Sequence, residues 1–495
     1  MPKSTPGKTD FTVLQSKLIE QRYTKSDIRL AKKAYDVANS SHSGQIRLTG
    51  EPYFVHVFAT AYKLANMQLP IEVVIAGLLH DVPEDTETDI EEIRAEFGDD
   101  VTSMIESVTK LQHVKYRGLE RYVENLRKMF IAMAQDVRVI FIKFADRMHN
   151  METLYVLPEQ KRLRIAKEVM EIYAPIANRL GMGEYRGLFE DYSFKYLHPK
   201  DYNWTKHLLE QRVKKFGPSM NKAMGDVERE LISQGVGLVD MHGRIKYCYS
   251  LYKKLKRYKN DINKVYDIIA LRIIVDDVAD CYGALGILHG MYTPLPGRIK
   301  DYIAQPKPNG YQSLHTSVFA EDGSILEFQI RTTEMHEAAE FGIAAHWRYK
   351  EGVRLRNKQV KWMEELTKIQ KELKETDFMD RLEDIKLDMF RDRIFVFSPK
   401  GDVFDLPEAS TPVDFAYAIH TDIGNKTAAV KINHQIANLD SPLKSGDMCE
   451  IITDRNRKSP NADWLKFVKT HHARTKIKEA LKKSKRSLFG SLIHR

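Results

Sequence analysis

The chain has 495 residues, 43% of them hydrophobic, and 77 Lys and Arg against 68 Asp and Glu give it a net charge of +9. At ~100–200 residues per domain that length predicts three or four domains, and the positive balance points to anionic partners such as nucleotides, RNA or an acidic surface. No apolar run approaches the ~20 residues of a membrane helix, the N-terminus MPKSTPGKTD lacks the apolar core of a signal peptide, and Cys248, Cys281 and Cys449 are too scattered for a disulfide framework or a thiolate zinc site. A cytoplasmic protein is expected, with neither membrane nor DNA as a partner.

In chain order, residues 1–200 predict an all-α domain, because IRLAKKAYDVA, FATAYKLANM and VVIAGLLHDV repeat apolar residues at three and four. Over 201–345 the period changes: IIALRIIVDD, SLHTSVFAEDG and ILEFQIRT read as strands between helical stretches such as YCYSLYKKLKRY, which predicts a mixed α/β domain. A charged helical linker is expected over 346–389. Over 390–455, RIFVFSPKGDVFDLP reads as a hairpin with glycine at its turn, and TPVDFAYAIHTDIG and two more strands complete a small β-grasp-like module. A basic helical tail, 456–495, closes the series. Acidic residues crowd 81–100, whereas Lys and Arg dominate 244–307 and 473–487.

Two constellations carry chemistry. His80 and Asp81 end an apolar helix, Glu84 and Asp85 follow one turn later, His56 stands in GEPYFVH, and Asp146 lies inside the apolar FIKFADRMHNM. The acidic hexapeptide alone also fits a solvated helix end. A carboxylate buried inside an apolar helix, however, costs several kcal/mol unless a cation lies nearby. Two imidazoles and two carboxylates make a mixed N and O donor set suited to Mn²⁺ or a similar divalent ion, which lowers the pKa of bound water and polarises phosphoryl oxygen. Glu84 or Asp85 would orient that water, and His149 and Asn150 would complete the pocket by hydrogen bonding.

The second constellation is basic. HGRIKYCYSLYKKLKRY sets Arg244, Lys246, Lys253, Lys254 and Lys256 around a helix, and the loop PLPGRIKDYIAQPKPNGYQSLHT adds Arg298, Lys300 and Lys307. A solvated basic face is one reading and phosphate binding the other. Tyr311, after Asn309 and Gly310, offers a stacking surface for a base. Asp267 and Glu327 are the prominent carboxylates on the strands, suited to hold Mg²⁺ and to assist deprotonation of an attacking hydroxyl. Gln329 and His336 are further hydrogen-bonding candidates.

Over residues 20–475 these segments resemble the RelA/SpoT family of (p)ppGpp synthetase/hydrolases. The similarity rests on RLTGEPYFVH, LLHDVPEDT, SVTKL and FIKFADRMHNMETL, then IYAPIANRLG and FEDYSFKYLHP, then HGRIKYCYSLYKK, VYDIIALRIIV, DCYGALGILH, GRIKDYIAQPKPNGYQSLHT, LEFQIRT and MHEAAEFGIAAHW. Residues 390–455 are similar to the family's TGS domain. The resemblance implies an all-α HD-type hydrolase domain, an α/β nucleotidyltransferase-like synthetase domain and a TGS-like β-grasp domain.

It also implies site residues. His56, His80, Asp81 and Asp146 would bind Mn²⁺, with Arg47, Glu84, Asp85 and Asn150 serving hydrolysis. Arg244 would stack on the adenine of ATP, while Lys246, Lys254, Arg272, Lys300 and Lys307 contact phosphates and Tyr311 stacks on guanine. Asp267 and Glu327 would manage Mg²⁺ and the guanosine 3′-hydroxyl, with Asn309, Gln312 and His315 contacting substrate. The implied partners are ATP, GDP or GTP and ppGpp or pppGpp, with the ribosome or tRNA as a contact of the TGS-like module. An intact first site and the basic Arg298-Ile299-Lys300-Asp301 match members with two activities, whose sites are then expected to be coupled. Val57, Ser107 and Glu152 depart from the family's usual Pro, Gly and Arg without removing a ligand. Long members continue beyond the TGS domain, and a truncated chain and a short natural form both fit this sequence. The competing functions are a catalytically weak ribosome- or tRNA-binding regulator and a tRNA nucleotidyltransferase, although the latter's Gly-Ser and Asp-x-Asp pattern is absent.

Overall fold

The computed structural model describes residues 9–112, 128–345 and 393–493, apart from 130, 134, 308, 309, 321, 445, 455 and 458. The expected linker over 346–389 and Asn309 lie outside the described residues. Two compact units divide the chain, 1–369 and 370–495.

The first unit begins with helices. Asp10 accepts from the Thr12 N–H at the head of α1 (Phe11–Glu20), and Thr24 and Asp27 form a reciprocal capping box on α2 (Lys25–Ser41). α3 (Phe54–Asn66) and α4 (Ile71–Leu79) follow, then the short α5 (Val82–Asp85) and α6 (Ile90–Gln112), which breaks at Gly98 with φ 84°. Every residue of α4 except Glu72 is buried, as befits a helix that is apolar all round. It packs against α2, α3, α6 and α7 (Arg138–Glu152). α8 (Glu159–Glu168) continues through a π turn, Val169–Tyr173, into α9 (Ala174–Arg179), and α10 (Gly183–Leu197) closes the helical layer.

α11 (Pro199–Ser233) belongs to the next layer. Its Ala223, Val227 and Leu231 join Leu271, Ile273, Leu288, Phe328 and Ile330 in one core. The sheet there has the order β1-β2-β5-β4-β3, from β1 (Leu238–Ile245), β2 (Ile269–Val275), β3 (Lys300–Asp301), β4 (Leu314–Phe319) and β5 (Ile325–Thr332). β2 and β5 run parallel and the other pairs antiparallel. α12 (Cys248–Arg257), α13 (Val278–Met291) and α14 (Thr333–Phe341) accompany it. Register then sorts the side chains. Arg244, Ala270, Glu327 and Ser317 lie in one row across the sheet, and His242, Arg272, Gln329, His315 and Lys300 in the next. Because strand side chains alternate, both rows share one face, while Leu271, Ile273, Phe328 and Ile330 fill the core on the other. Arg244 and Lys246 had been expected around the basic helix. They lie ahead of it, Arg244 on β1 and Lys246 in the turn, since the helix starts only at Cys248.

The second unit opens with β6 (Arg393–Phe397) and β7 (Val403–Pro407), an antiparallel hairpin with Gly401 at φ 87°. α15 (Pro412–Ile419) and α16 (Thr421–Lys426) follow. Three more strands, not two, complete the module, because the short β9 (Gln435–Ala437) pairs with β8 (Thr427–Ile432) beside β10 (Cys449–Thr453). The tail is partly integral. Trp464, Val468, Ala473 and Ile477 pack with Val413 and Tyr417, and the buried Asp414 carboxylate accepts from the Lys469 and Thr470 N–H groups at the head of α17 (His471–Ile493). Among the described residues, no helix is long and apolar enough to cross a membrane.

Candidate active sites

The first site lies where α3, α4 and α7 meet. His56 enters from α3, His80 caps the end of α4, and Asp146 comes from the middle of α7. One donor atom from each of the three lies within 4.8 Å of the others, and all three are buried. His80 Nδ1 is 2.9 Å from the Gly77 carbonyl, to which it donates, so Nε2 is the nitrogen turned toward the cluster. That Nε2 has no hydrogen-bond partner although the residue is wholly buried. Imidazole nitrogens converging with carboxylate oxygen are the donor chemistry of a divalent metal site.

Asp81 is beside the cluster rather than within the tight group of three. Its Oδ1 is 3.3 Å from His80 Nε2 and its Oδ2 is 3.5 Å from His56 Nε2. Oδ2 also lies 2.9 Å from the Tyr53 hydroxyl, which is 2.7 Å from Asp85 Oδ2. Burial acts to raise the Asp81 carboxyl, but His80, His56 and Lys143 outweigh it and hold it below its ordinary value. Asp146 is treated the same way more strongly, by Lys143, His56 and His80 against its own desolvation. The cation that its burial demands is Lys143, whose Nζ is 2.6 Å from Oδ2 with both side chains about 5% exposed. Oδ1 meanwhile faces His56 Nε2 at 3.3 Å and accepts from Asn150 at 2.5 Å.

Around this centre, Arg47 donates to Asn150 Oδ1 at 2.8 Å and lies 3.2 Å from His149 Nδ1, which in turn is 2.9 Å from His56 Nδ1. Burial and the neighbouring His56 and Arg47 push His149 down to about 2, so it is neutral. A cavity of about 200 Å³ opens here, lined by Arg47, Tyr53, His56, Asp81, Asp146 and Asn150 among others. Glu84 and Asp85 are exposed and stand outside that lining. Sequence reading missed Tyr53 and Lys143. Lys143 had a local signal, three residues before Asp146 on one helix face; Tyr53 sits one turn before His56.

The second site is a cleft of about 1560 Å³ beside the polar face of the sheet, reaching α10 of the helical layer. Arg244, Lys246, Lys254, Arg272, Lys300, Lys307, Tyr311 and His315 all line it, with Asp267 and Glu327 among them. Asp267, just ahead of β2, is gripped by Lys246 Nζ at 2.7 Å and by Lys254. Those ammonium groups overcome its desolvation and hold it well below the usual carboxylate range. Glu327 is 3.0 Å from His315 Nδ1 and accepts from Gln329 at 3.0 Å, and its carboxyl is likewise lowered against burial. Asp267 and Glu327, set among these cations, match the oxygen-only preference of Mg²⁺, which takes one or two carboxylates and completes its shell from phosphates and water.

Lys307 is an exposed residue, but its Nζ sits over the Tyr302 and Tyr311 rings at 4.4 and 4.9 Å. Desolvation there, together with Lys300, Arg186, Lys246 and Arg244, pushes it down to about 8. A surplus of cations this close is stabilised by an anion. Tyr311 also pairs its hydroxyl with His315 Nε2 at 2.7 Å.

Four of the expected contacts are engaged within the protein here. Arg272 reaches the cleft but is 7% exposed and ion-paired with Glu340 Oε1 at 3.0 Å, which also holds the buried Arg331. Gln312 donates to the Ile303 carbonyl and is outside the cleft lining. Gln329 links Arg244 to Glu327, whereas His336 bonds Arg331. Glu340 was missed, and nothing local in the sequence pairs it with Arg272.

Residues 34–183 match the HD domain, 243–354 the region found in RelA / SpoT proteins, and 394–453 the TGS domain. The chain is 46% identical over 462 residues to a guanosine-3′,5′-bis(diphosphate) 3′-pyrophosphohydrolase of Aquifex aeolicus, covering 93% of this chain and 66% of that one. It is 43% identical to a GTP pyrophosphokinase of Myxococcus xanthus, covering 94% and 62%. To the bifunctional (p)ppGpp synthase/hydrolase SpoT of Escherichia coli it is 42% identical, covering 96% and 68%. The chain spans about two thirds of the length of these relatives. An HD domain over the first cluster agrees with use of a divalent metal there.

Proposed function

The chain belongs to the RelA/SpoT family, and from that footing we propose that it is a bifunctional alarmone enzyme of the cytoplasm. One activity transfers pyrophosphate from ATP to the 3′-hydroxyl of GDP or GTP, giving (p)ppGpp and AMP. The other hydrolyses (p)ppGpp to GDP or GTP and pyrophosphate. The observation that carries the reading is the pairing, within one compact unit, of a buried histidine and carboxylate cluster with a cleft that sets Asp267 and Glu327 among lysines and arginines. The domains would be 1–200 for hydrolysis, 201–345 for synthesis and 390–455 for the TGS module, which would contact tRNA or the ribosome.

In the first site His56, His80, Asp81 and Asp146 would hold Mn²⁺. The ion would supply a hydroxide-like water and polarise the scissile phosphoryl group. Arg47 and Asn150, bonded to each other, would orient the substrate at the cavity mouth. Asp85 connects to Asp81 through the Tyr53 hydroxyl and would receive a proton released in hydrolysis, with Glu84 beside it.

In the second site Asp267 and Glu327 would hold Mg²⁺, which would offset charge on the ATP phosphates. Lys246, Lys254, Lys300, Lys307 and Arg272 would contact the phosphates, Arg244 would stack on adenine and Tyr311 on guanine. Glu327, hydrogen-bonded to His315, would take the proton of the guanosine 3′-hydroxyl as its oxygen attacks the β-phosphorus of ATP and AMP departs. Asn309 and Gln312 would serve as substrate contacts when nucleotide is bound.

The test incubates purified protein with labelled ATP, GDP and Mg²⁺, and separately with ppGpp and Mn²⁺, resolving nucleotides by anion exchange. Asp81→Ala should abolish only hydrolysis and Asp267→Ala only synthesis. Neither reaction in folded, metal-loaded protein would reject the proposal in favour of a binding regulator.

A further inference from the structure

The segment FEDYSFKYLHP, residues 189–199, belongs to neither constellation of reactive residues, although Glu190, Asp191, Tyr192 and Lys195 reach the wall of the cleft. It occupies most of the second half of α10, and one side of that helix packs into the helical layer, where Phe189 meets the Phe144 and Tyr173 rings at 5.5 and 6.0 Å. The other side meets α12. A helix leaves its first N–H groups without intrahelical partners, and a side-chain oxygen at the preceding residue ordinarily satisfies one of them. The residue preceding α12 is Tyr247, which makes no such bond. Asp191 takes that role from another element: its Oδ2 accepts from the Cys248 N–H at 2.9 Å and its Oδ1 from the Tyr249 N–H at 2.8 Å.

The neighbours of Asp191 reinforce the seam. Glu190, 7% exposed, accepts from Lys253 of α12 at 3.1 Å and from Arg186 at 3.3 Å. Phe194 lies against the Tyr249 and Tyr252 rings at 5.1 and 4.8 Å. At the near end, Gly187 approaches Tyr247 so closely that a Cβ there would fall 2.1 Å from the ring. The start of α12 is thus set by the helical layer, and α12 carries Lys254, one of the two cations on Asp267.

We propose that Asp191 is a positioning residue of the second site, an N-cap lent by α10 that fixes α12 and, through Lys254, the Asp267 carboxylate. The inference rests on the synthetase reading of that cleft. Asp191 lies on the wall of the cleft, but both its carboxylate oxygens are taken by N–H groups at the head of α12, and it acts through the helix it caps.

The test compares the full-length wild type, Asp191→Ala and Asp191→Asn in both reactions. Loss of an N-cap predicts a fall in synthetase kcat/KM of roughly tenfold for D191A. D191N, isosteric and still able to accept one N–H, should fall about threefold, and hydrolysis should be spared within about twofold in both. Hydrolysis spared beside the loss of synthesis is what general destabilisation would not produce. Undiminished synthesis in D191A, or hydrolysis falling in step with synthesis, overturns the inference. Should D191A not fold, D191N carries the test alone, and an unchanged synthetase rate overturns the inference. Absence of synthesis in the wild type would instead reject the synthetase reading and the inference with it.

Discussion

Replacing Lys143 by methionine tests the electrostatics of the first site. The Lys143 and Asp146 side chains are about 5% exposed and their charged atoms 2.6 Å apart. Removing one member of a buried ion pair leaves an uncompensated charge and typically costs ~3–5 kcal/mol. At about 2–4 °C per kcal/mol for 150–250 residues, that is a fall of roughly 6–20 °C in the melting temperature of the metal-free protein. A divalent ion seated among His56, His80 and Asp146 supplies part of the lost positive charge. Mn²⁺ should therefore raise the melting temperature of K143M by more than that of the wild type, where saturation to 100 times Kd contributes about 2.7 kcal/mol. The double variant Lys143→Met, Asp146→Leu should recover most of the stability, because an apolar pair of similar volume removes both charges. The assay is thermal unfolding in chelator and at stepped Mn²⁺ concentrations. A metal-free K143M within about 1 kcal/mol of wild type, or an equal Mn²⁺ response in both proteins, would refute the reasoning.

Two further outcomes follow from the seam between the layers. Gly187→Ala should destabilise: alanine gains ~1 kcal/mol in helix propensity, but its Cβ would meet the Tyr247 ring at 2.1 Å, and overpacking of this kind costs ~1–3 kcal/mol; chemical denaturation gives the sign, and a stabilised variant would contradict the packing. Glu184 is pushed up to about 7 by burial and then by Glu340, so the folded state retains a proton that the unfolded chain has lost and wild-type stability falls as pH rises from about 4.5 through 7. Glu184→Gln should match wild type near pH 4 and exceed it at pH 8 by roughly 1–2 kcal/mol after allowing for partial solvent access, and a pH-independent difference in melting temperature would count against that placement.

Element type was legible in the sequence because periodicity is a local property. The three-and-four spacing of IRLAKKAYDVA and the β-branched run of IIALRIIV correspond to α2 and β2. The chemistry of each site was legible in the same way, since a His-Asp pair ending an apolar helix, a carboxylate inside another and a cluster of lysines are readable as residue types. Partnerships formed by packing were not. Arg47 bonds to Asn150 across 103 residues and Arg244 to Gln329 across 85, and no local pattern encodes which helices or strands meet. The same limit hid the Arg272 and Glu340 pair, the packing of α11 on the sheet and the loan of Asp191 to α12. Sequence alone determined the type of most segments and which reactive groups they carried, though not that Arg244 lies on β1 or that β9 joins the second unit. Tertiary structure alone decided which of those groups face one another, because burial, pairing and capping depend on the close packing of elements far apart in the chain.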